Sequence, residues 1–368
     1  MAGDCLISSV EAATYVIPTD EPEADGTLGW DETAMVAVRV MAAGQVGLGW
    51  SYASPAAQHV VTGMLAGVVQ GRDVMNVAGC YEAMCRAVRN VGREGIAATA
   101  ISAVDIALWD LKARLLEVPL AALAGQVRTD VPVYGSGGFT SYDNATLRRQ
   151  LTGWAESLEI PRVKIKIGES WGTRQDRDLD RVAIARDVIG DKAELYVDAN
   201  GGYTTAQAVR VAAALADYHV TWFEEPVSSQ DTAGLAAIRC QVLPDVAAGE
   251  YSWTIAGSAR LLNANAVDCL QADVTRCGGV TGFLQAATLA AASGIQISGH
   301  CAPNLHARVA ACVPNLRHVE YFHDHQRIEQ MLFDGALSPH GGTMTPEADR
   351  PGLGMTLRAA DAEPYRLG

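Results

Sequence analysis

The chain has 368 residues, of which 49% are hydrophobic and only 19% are charged. This composition is typical of a folded protein with a large core, and it excludes the charge-rich disordered and coiled-coil classes. The formal net charge is −14, which disfavours nucleic acid and anionic membranes as partners, because both bind basic surfaces.

Residues 1–127 begin with strand-like runs and continue with helical patterns, which predicts an α+β domain. The strands are predicted at Leu6–Tyr15, Ala34–Met41 and Gln45–Trp50, with loops between them. The helices are predicted near Ala56–Val69, Cys80–Val91 and Ala97–Leu116. The last of these is apolar on almost all sides, so we expect it to be buried.

In residues 128–333, short apolar strands alternate with helices, which predicts a parallel barrel or a doubly wound sheet. The eight predicted strands are Val131–Tyr134, Arg162–Gly168, Glu194–Asp198, Val220–Glu225, Val246–Gly249, Ala266–Ala272, Ile295–Ser298 and His318–Tyr321. The helices are expected near Gln175–Ile189, Ala206–Tyr218, Thr232–Gln241, Ala256–Leu262 and Gly282–Ala292, with a shorter connection at Asn304–Cys312. Residues 334–368 form a tail that we expect to pack back on the first domain.

The cysteines and the N-terminal segment bear on the cellular compartment. The 8 cysteines include no CxxC pair and no paired spacing, which indicates reduced thiols in a cytoplasmic protein. The N-terminal segment has no basic start, so it is unlike a signal peptide. No charge-free apolar run reaches the roughly 18 residues that a membrane-spanning helix requires.

Three acidic residues follow successive predicted strands at an equal spacing of 26 residues: Asp198, Glu224 and Glu250. In a barrel, the C-terminal ends of the strands carry the chemistry, so these carboxylates are expected at one height on adjacent strands. Their mutual repulsion is relieved by a hard divalent cation, and oxygen ligands without His or Cys favour Mg²⁺ over Zn²⁺. The alternative, three solvated loop acids, is disfavoured because each acid ends an apolar run.

Two lysines alternate with apolar residues in one predicted barrel strand, so Lys164 and Lys166 are expected to face the barrel interior. A buried ammonium requires acids or an anionic ligand beside it. Neighbouring cations lower the pKa of a lysine, and a lysine tuned in this way can act as a general base. The alternative is a half-exposed edge strand with both lysines in water.

An aspartate and a histidine lie one strand–helix unit apart, at Asp273 and His300. An aspartate that accepts a hydrogen bond from one imidazole nitrogen makes the other nitrogen a better base. The alternative is a hydrogen-bonded core histidine.

Three other features are weaker. Gly135–Gly138 lacks the third glycine of a dinucleotide-binding loop, since position 140 is Thr140. His323–His325 is expected to be a surface loop. Strand alternation predicts that Cys301 points away from the barrel interior.

These residues together resemble the mandelate racemase subgroup of the enolase superfamily over nearly the whole chain. The motifs that match are Ala100–Asp110, Lys164-x-Lys166, Asp198-x-Asn200, Glu224-Glu225-Pro226, Gly249-Glu250, Asp273-x-x-Arg276-x-Gly278-Gly279, His300 and Glu320. The resemblance implies a modified (β/α)₇β barrel with an N-terminal α+β capping domain. It also implies a homo-oligomer, since the family is usually oligomeric and often octameric.

The resemblance further implies Mg²⁺ bound by Asp198, Glu224 and Glu250, and removal of the proton α to a carboxylate to give an enediolate. Lys166 is then the base on one face and His300, oriented by Asp273, works on the other. The remaining implied roles belong to Lys164, which tunes Lys166 and binds the substrate carboxylate, to Glu320, the electrophilic acid, and to Asn200, a substrate contact.

The overall reaction stays open at this stage. Dehydration of a sugar acid (an aldonate or aldarate) to a 2-keto-3-deoxy acid is the leading hypothesis. The alternatives are a racemase or epimerase of a 2-hydroxy acid, a sugar-acid lactone cycloisomerase, and a non-catalytic sugar-acid binding protein. The capping loops, expected at Pro18–Trp30 and Trp50–Ser54, select the substrate in this family, and Trp30, Trp50 and Tyr52 are candidate pocket residues.

Overall fold

The computed structural model describes residues 5–368, and its N-terminal part contains a three-stranded antiparallel sheet. The strands are β1 (Ile7–Ala24), β2 (Gly29–Ala42) and β3 (Gln45–Tyr52). The first two strands are longer than the sequence predicts, because pairing resumes at Glu23 opposite Trp30 after an irregularity in the register. The segment Pro18–Trp30, expected to be a loop, is therefore mostly the end of a hairpin.

The helices of the N-terminal part cover one face of this sheet. They are α1 (Ala56–Val60), a π-helical segment (Val61–Leu65), α2 (Ala66–Val69), α3 (Val77–Ala87), α4 (Ile96–Leu115) and α5 (Leu120–Ala124). As predicted, α4 is buried on almost all sides. Strand β3 approaches it closely at Gly49, where a Cβ atom would lie 2.2 Å from the carbonyl oxygen of Ala103.

Eight parallel strands form the second part of the fold. They are β4 (Val131–Gly137), β5 (Arg162–Lys166), β6 (Glu194–Asp198), β7 (Val220–Glu224), β8 (Asp245–Ala248), β9 (Cys269–Ala272), β10 (Gln296–Gly299) and β11 (Leu316–Phe322). Each strand pairs with the next, and β11 pairs with β4 through Val319 and Val133. The sheet is therefore closed, which confirms the predicted barrel and rules out the doubly wound sheet.

Helices connect the barrel strands on the outside, and a final helix follows the last strand. They are α6 (Asn144–Thr152), a π-helical segment (Gly153–Ser157), the short α7 (Glu169–Gly172), α8 (Gln175–Ile189), α9 (Thr205–Leu215), a 3₁₀ turn (Ala216–Tyr218), α10 (Thr232–Arg239), α11 (Ile255–Asn263), α12 (Gly279–Ala292), α13 (Pro303–Ala310) and α14 (His323–Leu332). The sequence did not predict α6, which buries only Leu147 and Leu151 and starts at the capping carboxylate of Asp143. Within the described residues, none of the helices is long and apolar enough to cross a membrane.

The side chains inside the barrel lie in layers, because alternate residues of a strand face the same side. Four aromatic rings, those of Tyr134, Tyr196, Trp222 and His318, contact one another in one of these layers. Three of them precede an acid of the same strand by two residues, so the aromatic layer lies directly below the acidic one.

The tail contacts both parts of the fold. It contains β12 (Phe333–Asp334), β13 (Thr343–Met344), β14 (Thr356–Leu357), α15 (Ala359–Ala362) and a 3₁₀ turn (Glu363–Tyr365). Strand β13 pairs with β4 of the barrel. The amide of Leu353 donates to Asp110 of α4 at 2.6 Å, and the amide of Leu367 donates to the carbonyl of Thr14 at 2.9 Å.

Candidate active site

The three equally spaced carboxylates meet at the C-terminal end of the barrel. Asp198 and Glu224 end β6 and β7 as register partners, and Glu250 follows β8 after Gly249. Gly249 has φ +138°, and a Cβ atom there would lie 2.1 Å from the carbonyl of Gln271, so only glycine fits this turn. All three carboxylates are buried, and one oxygen atom of each lies within 4.8 Å of those of the other two.

This donor set fits Mg²⁺, because three buried carboxylates supply hard oxygen ligands and anionic charge. Burial and the charge of Asp198 raise the pKa of Glu224 to about 8, against the opposing effect of Lys164. Two further buried oxygens at this end of the barrel, Asn200 Oδ1 and Glu225 Oε1, have no hydrogen-bond partner within residues 5–368. The site therefore offers more acceptors than the protein itself satisfies.

Both lysines of β5 lie inside the barrel, as the alternation predicts, and Val163 and Ile165 face the outer helices. Lys164 Nζ is 2.5 Å from Glu224 Oε1 and 2.8 Å from Glu320 Oε1. Lys166 Nζ is 2.5 Å from Asp198 Oδ2.

The pKa of Lys166 differs from the sequence-based expectation. Burial, the largest effect, and Lys164 lower this pKa, but Asp198, Glu250 and Glu320 together outweigh them, and the net pKa is raised. The pKa of Lys164 is likewise raised, because Glu224 and Glu320 outweigh burial. The expectation assumed that each lysine lowers the pKa of the other. The charges of the neighbouring carboxylates are the stronger influence.

His300 follows β10 and is oriented by Asp273. Its Nδ1 lies 2.8 Å from Asp273 Oδ2, and the other oxygen of Asp273 accepts hydrogen bonds from the amide and hydroxyl of Thr275 at 2.7 Å. Burial opposes this ionised state of Asp273, but the hydrogen bond and charge of His300 hold its pKa well below the usual range. Nδ1 therefore carries a proton, and Nε2 faces the acidic centre, 3.1 Å from Glu250 Oε2.

Glu320, on β11, is held by three donors. Its Oε1 accepts from the hydroxyl of Ser136 at 2.6 Å and from Lys164, and its Oε2 accepts from the amide of Cys301 at 2.8 Å. Burial raises the pKa of Glu320, but Lys164 and His300 outweigh it and hold the pKa well below the usual range. In this arrangement Glu320 is a carboxylate, whereas the electrophilic role implied by the resemblance requires the protonated form.

Two of the three aromatic residues proposed for the substrate pocket have structural contacts instead. Trp50 is fully buried in β3 and packs on Phe333 at 4.6 Å between ring centroids. Tyr52, also in β3, stacks on His325 at 3.5 Å. The prediction that they line a pocket is wrong, because both lie in a strand that packs against the barrel and not in an open loop.

The third aromatic residue, Trp30, lies near the mouth of the barrel. Its indole nitrogen donates to Glu23 Oε2 at 2.9 Å, and its ring packs edge-on against Phe139 at 5.6 Å. This segment reaches the catalytic end of the barrel through Gly26, where a Cβ atom would lie 2.6 Å from the carbonyl of Ile167, the residue after Lys166.

Two of the weaker sequence interpretations are also wrong. His323–His325 is the first turn of α14 and not a surface loop, and His325 is buried. The Sγ atom of Cys301 is not directed away from the site, since it lies 3.3 Å from His300 Nε2. The cause is the left-handed backbone of Cys301, with φ +54°, which ends the strand alternation one residue earlier.

Three residues near the site were missed or underused by sequence reasoning. Glu23 is buried, although it lies in an acidic segment that predicts solvent exposure. Ser136 was considered only as part of a glycine-rich loop. Arg276 lies 3.3 Å from Glu250 and 3.5 Å from Asp273, and the motif around it was the one available signal.

Comparison with known proteins agrees with this fold and site. Residues 12–125 match the family model of the mandelate racemase/muconate lactonizing enzyme N-terminal domain, and residues 146–362 match the enolase C-terminal domain-like model. A mandelate racemase/muconate lactonizing enzyme-like protein from Rubrobacter xylanophilus superimposes with a TM-score of 0.95 at 46% identity, over 98% of this chain and 100% of that chain.

Two curated relatives are similar over most of the chain. L-Talarate/galactarate dehydratase of Salmonella typhimurium is 32% identical over 84% of this chain and 77% of the relative. Its structure liganded with Mg and L-lyxarohydroxamate has a TM-score of 0.90 at 28% identity, over 99% of this chain and 93% of that chain. The 3,6-anhydro-α-L-galactonate cycloisomerase of Streptomyces coelicolor is 31% identical over 96% of this chain and 97% of the relative.

The closed parallel barrel with an acidic centre at its C-terminal end defines an enzyme class that works on small molecules at that end. Within this class, the chain belongs to the mandelate racemase/muconate lactonizing enzyme family of the enolase superfamily. The predicted Mg²⁺ cofactor is confirmed for the family, since the structure of the Salmonella relative holds it.

Proposed function

We propose that this enzyme removes the proton α to the carboxylate of a sugar acid and then eliminates water to give a 2-keto-3-deoxy acid. The observation that carries the proposal is the position of two proton-transfer groups. Lys166 contacts Asp198 and His300 contacts Glu250, the first and last carboxylates of the series Asp198, Glu224 and Glu250. A substrate bound at this centre thus has one group on each of two sides.

Asp198, Glu224 and Glu250 are the residues that would hold Mg²⁺, which would supply Lewis-acid stabilisation of negative charge on the substrate carboxylate. Lys164 lies beside this position and adds a fixed positive charge there. The α-proton of a carboxylate is very weakly acidic, so concentrated positive charge at this place lowers the barrier to its removal.

The chain's own residues divide the remaining work. Once Asp198 is no longer its direct partner, Lys166 Nζ releases its own proton to solvent, and the neutral amine then takes the α-proton to give an enediolate. His300 donates from Nε2 to the departing hydroxyl group on the opposite side, while Asp273 holds Nδ1 and stabilises the imidazolium. Burial of the site keeps bulk water away from the intermediate.

A second candidate reaction is cycloisomerisation of a sugar-acid lactone or anhydro sugar acid. In sequence, the cycloisomerase aligns with 96% of this chain and the dehydratase with 84%. Both reactions can begin with the same proton removal, and they differ in the bond that breaks next.

The proposed location of the enzyme is the cytoplasm, and the proposed assembly is a homo-oligomer.

The test is a screen of acid sugars for 2-keto product, combined with α-proton exchange in D₂O. With the substrate that reacts, the variant His300→Asn is expected to exchange the α-proton but to release no 2-keto product, whereas Lys166→Ala loses both activities. A chelator is expected to abolish both, and Mg²⁺ to restore them.

Lys192→Ala is the matched control, because Lys192 is an exposed lysine outside the barrel interior, and it is expected to retain full activity. Full turnover by His300→Asn, or exchange that continues after chelation, contradicts the proposed division of labour. A 2-keto product that forms from a lactone or anhydro sugar acid without any change in mass, because the ring C–O bond breaks and no water is lost, identifies the second candidate.

A further inference from the structure

A second group of potential metal ligands adjoins the carboxylate centre, and its chemistry is different. His300, Cys301 and Glu320 are buried, and one ligand atom of each lies within 4.8 Å of those of the other two. The group offers one imidazole nitrogen, one thiol sulfur and one carboxylate oxygen. Such a mixed set favours Zn²⁺ and similar borderline or soft cations over Mg²⁺.

The distances fit a single Zn²⁺ ion. Cys301 Sγ is 3.3 Å from His300 Nε2, and Glu320 Oε2 is 3.8 Å from the same nitrogen. Around tetrahedral Zn²⁺, Zn–S of about 2.3 Å and Zn–N or Zn–O of about 2.0–2.2 Å separate neighbouring ligand atoms by roughly 3.4–3.6 Å. One observed distance is slightly shorter and the other slightly longer than this range, so small side-chain adjustments are sufficient to bind the ion.

The surroundings orient the three ligand atoms for binding. Asp273 fixes the proton on His300 Nδ1 at 2.8 Å, so Nε2 is the nitrogen that becomes a ligand atom once its own proton has left. A carboxylate behind the ligating imidazole is the usual arrangement in zinc sites. Glu320 Oε1 is occupied by Ser136 and Lys164, so Oε2 is the oxygen that faces the histidine.

We infer that His300, Cys301 and Glu320 form a Zn²⁺ site beside the proposed Mg²⁺ site, and that its occupation inhibits the enzyme. When Zn²⁺ binds, the Cys301 thiol and His300 Nε2 each lose a proton to solvent, and the thiolate and the imidazole nitrogen become ligands. Inhibition follows because the ion uses His300 Nε2, so this part rests on the proposed function. Binding of the ion does not depend on it.

The binding test uses Cd²⁺ as a spectroscopic probe, because its thiolate complexes absorb in the ultraviolet. The protein carries Cys240→Ser, which removes the exposed cysteine, and is kept in excess Mg²⁺ to protect the carboxylate centre. We expect a thiolate-to-cadmium band that saturates at about one Cd²⁺ per chain and is displaced by Zn²⁺.

Adding Cys301→Ser is expected to abolish the band, and Cys301→Ala serves as the second variant if the serine form is misfolded by circular dichroism. Cys312→Ser is the matched control, because the Cys312 thiol is buried among backbone carbonyls at 3.4 and 3.9 Å, and it is expected to keep the band. A band that persists in both Cys301 variants overturns the inference.

The inhibition test compares the Zn²⁺ concentration that halves turnover at saturating Mg²⁺. Loss of one of three protein ligands is expected to raise this concentration at least about tenfold in Cys301→Ser but not in Cys312→Ser. Equal Zn²⁺ sensitivity of the two variants overturns the inhibitory role. If the cadmium band depends on Cys301 but Zn²⁺ does not change turnover, the metal site is supported and the proposed catalytic role of His300 is contradicted.

Discussion

Glu23 is a buried acid whose ionisation should make a measurable contribution to the pH dependence of stability. Its side chain is 1% exposed, Oε1 has no partner within the described residues, and Oε2 accepts from Trp30. Burial, and then the nearby charge of Asp324, raise the pKa of Glu23 from 4.5 to about 9. The folded protein therefore keeps this proton at pH values where the unfolded chain has lost it.

The sign of the effect follows from this difference in bound protons. Between the unfolded pKa and the folded pKa, the folded state holds one proton more, so the free energy of unfolding falls as the pH rises. The stabilising contribution is full below about pH 4.5 and is lost as the pH approaches about 9. The slope is about 1.4 kcal/mol per pH unit, or about 2.7 kcal/mol between about pH 6 and pH 8.

Glu23→Gln removes the titrating group and keeps the size and shape of the side chain. Urea unfolding at about pH 6 and pH 8 should show that the wild type loses ~2.7 kcal/mol more stability than the variant does. All other titrating groups are common to both proteins and cancel in the comparison. Glu21→Gln, at an exposed neighbouring position, should behave as the wild type. Equal pH slopes for wild type and Glu23→Gln would refute the argument.

Two further predictions concern the packing of the N-terminal part and the charges inside the barrel. Gly49→Ala should lower the free energy of unfolding by at least ~1–3 kcal/mol, because the new Cβ atom would lie 2.2 Å from Ala103 O. Gly63→Ala, with open space around its Cβ position, should be neutral or slightly stabilising in the same urea titration, and equal effects would contradict the packing argument. Lys164→Met should lower the free energy of unfolding by about 3–5 kcal/mol, because it leaves buried carboxylates without their cation. Arg148→Met, which breaks an exposed ion pair, should lower it by less than ~1 kcal/mol in the same measurement. If Lys164→Met lowers the free energy of unfolding by no more than Arg148→Met does, the buried charge network is contradicted.

The barrel and its acidic centre could be predicted because their signals are local and repeated. Each strand that ends in Asp198 or Glu224 is a short apolar run, and strands and helices alternate along the chain. The regular spacing then places the acids together without any knowledge of long-range packing. The direction of the Lys164 and Lys166 side chains could be predicted for a similar reason, because alternation within one strand determines which face each side chain lies on.

The parts that sequence reasoning missed depend on contacts between distant segments. Glu23 lies in an acidic, proline-containing run that has the composition of a surface loop. It is buried because the adjoining backbone is bound by the barrel: the amide of Thr140 donates to Ala24 O at 2.8 Å. Cys301 was misplaced for a different reason, since a single left-handed residue reverses the direction that alternation assigns to its side chain.

The contacts of the tail have a consequence for the order in which the protein can be completed during synthesis. The carboxylate of Asp110, fully buried in α4, receives one of its hydrogen bonds from Leu353, which the ribosome adds 243 residues later. The barrel likewise closes only when β11 has been synthesised and pairs with β4. Strand β13, which also pairs with β4, is synthesised later still. The N-terminal part therefore leaves the ribosome with a buried acid short of a donor, and its final stability is reached only after translation has passed the barrel. A chain stalled after residue 333 should expose this unsatisfied interior to chaperones and proteases, even though the whole N-terminal family domain and most of the C-terminal one would be present.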